Sequence, residues 1–460
     1  VTYKKALWLL LLIAFVLRIL LILSGGQLYM PDEIRYGRAL QAVHDRNFLA
    51  LLQGYDHTGF TILAIIPASF HKIAVLIFAE PPGSLLKVPA LLLSLASVGC
   101  IGMTYAVARR ARASSRESFI AALLMALSAG MFYWSRHLIP YDTSILIALI
   151  AIYVGIQPRG GVGRSFVVGF LACWVFLCYN GYWLLALIVM AIHLVYAQRR
   201  LMSAVLAGLG FIAPVALFTL LTLDSYPFVL GLVGFAGTVT QGWYGEGWSL
   251  PFEYFWVTEG LIALVWLGGC VLALSAYRHT HDRRVLVWLG AIAAIYLGLV
   301  VTSVLLQKFV VYGRTARELI PFICLLAAYG YNTLPRRTTN IVLAVTVLIA
   351  IPNFLGAFLF QFPEVAEERA RLSVGTFARD YTFQGSERPP IGEGRYVLLN
   401  TQYIYPVTGV KPLPHGAVLF TMPHPYNFAP FLYEGLDPAM RDIVREAGAE
   451  MILVDTGEQD

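Results

Sequence analysis

The chain has 460 residues, 58% of them hydrophobic and only 13% charged, with a mean hydropathy of +0.70. A water-soluble domain carries about 25% charged residues, and the apolar residues here come in blocks near the ~20 needed to cross a bilayer, so a soluble globular protein is excluded. The net charge of +6 is unevenly held: residues 362–460 carry 8 basic and 14 acidic side chains, the remainder 25 and 13. A basic excess in short loops between apolar runs reads as membrane topology, not as a nucleic-acid surface.

The first apolar run, Ala6 to Leu23, follows Lys4 and Lys5, and no small-residue cleavage site follows it. It reads as a first span, not a signal peptide. Further spans are expected at 86–108, 117–135, 142–156, 165–179, 182–197, 201–222, 259–276, 285–305, 317–334 and 339–360, about eleven in all. With the N-terminus inside and 24–85 as one long outer loop, Arg109, Arg110, Arg112, Arg116, Arg159, Arg164, Arg199, Arg200, Arg278, Arg283, Arg284, Arg336 and Arg337 all fall on the cytoplasmic side. A span at 60–78 would break this order, and Pro67, Ser69, His71 and Lys72 interrupt its middle. That segment reads as an interfacial or re-entrant helix on the outer leaflet. The five cysteines (Cys100, Cys173, Cys178, Cys270, Cys324) lie inside apolar runs, so neither a disulfide framework nor a zinc site is expected.

The fold expected is an all-α polytopic membrane protein over 1–361 with a small C-terminal α/β soluble domain over 362–460, outside the membrane. In that tail Tyr396–Asn400 and Met451–Asp455 read as strands and Pro438–Ala447 as a helix. No internal repeat is present, so the inverted symmetry of many secondary transporters is unsupported. Gly160–Gly163 follows no strand and reads as a linker; Pro423–Tyr426 reads as a turn.

Charges on the outer side depart from the sorting pattern. Arg35, Arg38, Lys72, Lys87, Lys308, Arg314 and Arg317 lie at or near the outer boundary, beside Asp32, Glu33, Asp56, Asp142, Glu246, Glu253 and Glu318. Charges at membrane depth usually face a wet cavity and pair there. Such a cavity suits a substrate with a charged head and a greasy tail, such as a polyprenyl-phosphate sugar. Asp32 and Glu33 also suit the start of an amphipathic helix behind Pro31, and Asp142 or Thr143 suits an N-cap. The cations of 307–317 suit a phosphate, or snorkelling to lipid headgroups. Trp243 and Tyr244, within the aromatic segment 241–259, suit a sugar-stacking rim or an interfacial aromatic belt.

Taken in order, Pro31-Asp32-Glu33-Ile34-Arg35-Tyr36, Tyr55-Asp56-His57-Thr58-Gly59, Arg136 with Pro140-Tyr141-Asp142, and Arg314 with Arg317 and Pro321 resemble a family. The chain is similar, over about residues 5–335, to the GT-C superfamily of membrane glycosyltransferases, on the branch of the protein O-mannosyltransferases and the aminoarabinose transferase of lipid A. Where that family often has a His-Pro-Pro-Leu-Gly-like run, His57 is followed here by Thr58. The resemblance implies an inverting transfer of a sugar from a polyprenyl-phosphate donor to a hydroxyl, on the outer face of a bacterial inner membrane or in the ER lumen. It implies Asp32 as general base, with Glu33 and Asp142 beside it. Lys308, Arg314 and Arg317 would hold the donor phosphate. Tyr36, His57, Arg136, Trp243 and Tyr244 would face the sugar or acceptor. No obligatory cofactor is expected, although Asp32, Glu33 and Asp142 have the oxygen chemistry to gather Mg²⁺ or Mn²⁺. The acceptor stays open between lipid, glycan and protein. A transporter or flippase of a lipid-linked substrate is the rival reading.

Overall fold

The computed structural model describes residues 3–24, 33–53, 55, 57–80, 85–157, 163–223, 227–239, 248–305, 313–359, 396–400, 418–423 and 449–455. The first half contains α1 (Tyr3–Leu23), α2 (Ile34–Asp45), α3 (Thr58–Leu63), α4 (Ile65–Phe78), α5 (Lys87–Arg110), α6 (Ser115–Ala126), α7 (Ala129–Tyr133), α8 (Tyr141–Gly155) and α9 (Gly163–Cys178). The second contains α10 (Trp183–Tyr196), α11 (Arg200–Leu221), α12 (Phe228–Val239), α13 (Leu250–Glu259), α14 (Leu261–Thr280), α15 (Arg283–Val300), α16 (Gly313–Ala316), α17 (Ile320–Thr333) and α18 (Arg336–Leu359).

The protein is an integral membrane protein. Among the described residues six helices (α1, α5, α11, α14, α15 and α18) are long and apolar enough to cross a bilayer, seven if the bent pair formed by 115–126 and 129–136 counts as one span. The other apolar runs expected to span are also helical but shorter. Helices α8, α9 and α10 have 14 to 16 residues, about 21–24 Å of rise against a hydrocarbon core of about 30 Å.

Interior and lipid faces separate by helical period. Helix α1 buries Ala14, Arg18, Leu21 and Ile22 on one stripe while Trp8, Leu12, Val16 and Leu20 are exposed. Glycines set the closest approach between α9 and α11: a Cβ on Gly169 would lie 1.8 Å from the Ala207 carbonyl, and one on Gly210 would lie 2.0 Å from that of Phe166. Small residues let helix backbones meet where apolar burial gives no drive between lipid-solvated helices.

The turns sort to two ends. At one, arginines tie the connections together: Arg116 donates to the Leu334 carbonyl at 3.3 Å, Arg283 to the Val195 carbonyl, and Arg284 pairs with Glu117 at 2.9 Å. At the opposite end lie α2–α4, the start of α8, the start of α10, α13 and α16. There α4 turns Pro67, Ala68, His71 and Ala74 inward and leaves Ile66, Phe70, Ile73 and Ile77 exposed. Lys72 bends back to the Val43 carbonyl at 3.1 Å. The polar middle of 60–78 thus packs on α2 rather than facing outward.

The bend of 62° between 115–126 and 129–136 has a local cause. Ser128 restarts the helix as an N-cap, accepting from the Met131 amide at 3.2 Å. The Glu259 carboxylate accepts from the Ala129 and Gly130 amides at 2.8 and 3.0 Å and from Ser128 Oγ at 2.6 Å. A carboxylate at a helix N-terminus satisfies orphan amides and opposes the dipole.

Beyond residue 361 the described residues form β1 (Tyr396–Asn400), β2 (Val418–Pro423) and β3 (Ala449–Asp455). They make an antiparallel sheet in the order β1-β3-β2. The helix expected at 438–447 lies outside the described residues.

Candidate functional site

The site grows from the bend. Past α7 the chain runs through a short 3-10 turn, Trp134–Arg136, into α8, so Arg136, His137 and Asp142 arrive together at the end opposite the arginine-rich turns. All three are buried. Glu33, just before α2, comes to meet them. The Leu138 amide donates to Glu33 Oε1 at 2.7 Å, and His137 Nδ1 lies 3.5 Å from Glu33 Oε2. Glu33 is therefore committed to holding the turn before α8.

Asp142 pairs with Arg317. Arg136 sits over the Tyr133 ring at 4.7 Å and donates to the Ala357 carbonyl. Arg317 is fully buried, lies over Trp134 and Tyr141 at 5.9 and 5.6 Å, and donates to Met131 Sδ at 3.3 Å. Its Nε and Nη1 have no hydrogen-bond partner among the described residues. Arg314 donates to the Tyr141 hydroxyl at 3.2 Å, and its own carbonyl accepts from Tyr182 at 2.8 Å. Glu318 faces the other way and accepts from the Leu185 amide in the first turn of α10 at 3.2 Å.

A run of rings joins these groups. His57 lies 5.0 Å from Tyr179, Tyr179 4.8 Å from Tyr141, Tyr141 5.3 Å from Trp134, and Trp134 5.5 Å from His137. Guanidinium groups over such faces gain a cation–π attraction that strengthens on desolvation. His57 has a positive φ of 56°, and its amide donates to Asn180 Oδ1 at 3.0 Å, which anchors the start of α3 to the turn before α10.

Tyr36 is placed differently. Its hydroxyl is hydrogen-bonded to His71 Nδ1 at 2.9 Å, joining α2 to α4, and burial pushes its phenol up so that it stays protonated. The structure thus unites Glu33, Arg136, His137, Asp142, Arg314, Arg317 and, through the rings, His57. Asp32, Lys308, Trp243 and Tyr244 lie outside the described residues, as do Asp56 and Glu246.

Two contributors went unread in the sequence. Arg18, in the first apolar run, is buried beneath this cluster and reaches Ser97 and the Ala14 carbonyl, both at 3.1 Å. A lone arginine within such a run was its signal. Glu259 stood at the edge of an expected span, with nothing local to show that it caps a distant helix.

No group of three His, Cys, Asp or Glu side chains among the described residues could hold a metal ion. Glu33 and Asp142 are each engaged with other partners.

Fold and site together define a polytopic α-helical membrane protein with a buried, cation-rich, ring-lined cluster at one end. Two crystal structures share this arrangement of helices. ArnT from Cupriavidus metallidurans in the apo state matches with a TM-score of 0.55 at 15% identity, over 75% of this chain and 63% of that one. The same protein bound to undecaprenyl phosphate matches with a TM-score of 0.52 at 14% identity, over 82% and 75%. The chain therefore spans just under two thirds of the length of apo ArnT. No family model matches the chain, and no curated protein matches it in sequence. The likeness to ArnT is one of fold.

Proposed function

We propose that the protein is an inverting glycosyltransferase that moves a sugar from a polyprenyl-phosphate donor to an acceptor hydroxyl. The observation that carries this reading is the Asp142–Arg317 pair, buried among rings beside Arg314, with two guanidinium nitrogens of Arg317 unused among the described residues. A phosphate would meet those donors, and a lipid tail would lie along the apolar exterior. The likeness in fold to ArnT, one of whose structures is bound to undecaprenyl phosphate, supports the donor class.

In the proposed reaction the acceptor oxygen attacks the anomeric carbon. The bond from that carbon to the phosphate oxygen breaks, and its electron pair leaves with the phosphate. Asp32 takes the acceptor proton as general base. Lys308, Arg314 and Arg317 stabilise the departing charge. Glu33, held by Leu138 and His137, fixes the outer segment beside the start of α8, and Asp142 orients Arg317. His57, Arg136, Trp243 and Tyr244 border the sugar and acceptor, which is a lipid, a glycan or a protein, while Tyr36 holds α2 against α4. Mg²⁺ or Mn²⁺ is an optional addition to this scheme, not one of its steps.

The same reading has all eleven apolar segments crossing a bacterial inner membrane. The arginine-rich end and the N-terminus are then cytoplasmic, α4 lies in the outer interface, and 362–460 forms an extracytoplasmic α/β domain. The test is turnover of radiolabelled polyprenyl-phosphate sugars by purified protein. Wild type should consume one donor, at least by slow hydrolysis, and Asp32→Asn should abolish this while still folding. Consumption that survives the substitution would remove Asp32 as the base. No consumption of any donor, with acceptors supplied, would favour the transporter.

A further inference from the structure

We propose that Arg18 is an electrostatic positioning residue for the phosphate site: from within the first span it offsets the charge of Asp142, leaving Arg317 cationic toward a lipid-linked phosphate. The proposal rests on the donor reading above and adds a residue to it.

Arg18 sits on the buried stripe of α1, with 1% of its surface exposed. A cation inside a membrane protein is costly without compensation. Its hydrogen bonds go to neutral groups: Nε donates to Ser97 Oγ and Nη1 to the Ala14 carbonyl, each at 3.1 Å. The guanidinium also lies 5.7 Å from the Phe132 ring centroid. Nη2 has no hydrogen-bond partner among the described residues. Cys100, one turn along α5 from the Ser97 that Arg18 bonds, is bonded to the Asp142 backbone, and the Asp142 carboxylate is already paired with Arg317. Two buried guanidinium groups thus stand near one carboxylate.

The placement is fixed from several sides. Ser97 passes the Arg18 contact on to the Met131 carbonyl at 3.1 Å, and Cys100, one turn along α5, donates to the Asp142 carbonyl at 3.4 Å. Met131 in turn touches Arg317 through its sulfur. Arg18 therefore acts on the phosphate-facing groups by its field, without touching a ligand. Were it neutral, Asp142 would cancel Arg317 more fully and the site would lose part of its excess of positive charge. The competing account is a neutral staple joining α1, α5 and α7 through Ser97.

The experiment measures undecaprenyl phosphate affinity in lipid nanodiscs, with thermal unfolding as the control for folding. Arg18→Lys keeps the charge and should bind like wild type. Arg18→Gln keeps hydrogen-bonding capacity but not charge and should bind about tenfold more weakly, the scale of one charge–charge contribution in a partly desolvated site. Asp142→Asn should bind more tightly than wild type, and the Arg18→Gln/Asp142→Asn pair should return toward it. Ser97→Ala, which breaks the staple and spares the charge, should leave affinity unchanged. Wild-type affinity in Arg18→Gln, or a loss in Ser97→Ala, overturns the proposal even where other variants fail to fold. A wild-type protein that binds no undecaprenyl phosphate overturns both this proposal and the donor reading.

Discussion

Asp142 meets Arg317 where water scarcely reaches, with side chains 9% and 0% exposed. Removing one partner of such a pair strands the other, at about 3 kcal/mol or more, whereas replacing both by apolar groups is often neutral. Asp142→Ala should therefore lower the thermal unfolding midpoint clearly, and the double variant Asp142→Ala/Arg317→Met should recover most of the loss. Equal losses in the single and double variants would show that the pair contributes nothing as a pair. Glu33 belongs to the same scale: its carboxylate is tied to Leu138 and His137.

Helix ends decide how the elements meet. At the arginine-rich end Asp282 caps α15, accepting from the Arg284 amide at 2.9 Å, and pairs with the Arg284 guanidinium at 2.8 Å. Arg284 also reaches Glu117 on α6, so one short turn joins three helices. Burial works against ionising Asp282, but the Arg284 hydrogen bonds and charge outweigh it and hold the carboxyl below its ordinary 3.8. A depressed folded-state value means stability that is present above 3.8 and lost as pH falls through the lower, folded value. Asp282→Asn keeps a capping side chain and removes only the charge, so its stability difference from wild type should be about 0.5 kcal/mol near neutrality, the size of a charge at an exposed helix N-terminus, and should shrink toward zero below 3.8. Thermal midpoints of both proteins from pH 7 to 3 test this; a difference that holds constant with pH would rule out ionisation as its source. At the opposite end Glu259 caps a distant helix, and the bend it holds brings His137 and Leu138 to Glu33.

For the whole molecule, the described turns rich in arginine lie at one end and the charged, ring-lined cluster at the other. The positive-inside rule then assigns the two sides. Ser249 and Gln157, both exposed and at opposite ends, provide a direct reading. In spheroplasts, Ser249→Cys should react with a membrane-impermeant maleimide, and Gln157→Cys should react only after permeabilisation. The reverse pattern would invert the topology. The five native cysteines lie in apolar segments and four of them are buried, so background labelling should be low.

The sequence by itself determined that this is a polytopic membrane protein, because apolar runs near twenty residues long have no other stable home in water. Every run it marked as apolar is helical, since a backbone in hydrocarbon must satisfy its own hydrogen bonds. It also marked Glu33, Asp142, Arg314 and Arg317, because charges on the side that should lack them stand out against the sorting pattern. What only the tertiary structure decided is partnership: Asp142 with Arg317 across 175 residues, Glu33 with Leu138 across 105, Glu259 with Ala129 across 130. Arg18 was visible as a letter and invisible as a site, because the side of α1 that faces inward depends on which helices pack against it. Local pattern fixes where a chain enters the membrane; the pairing of buried charges is fixed by which helix ends the packing brings within reach.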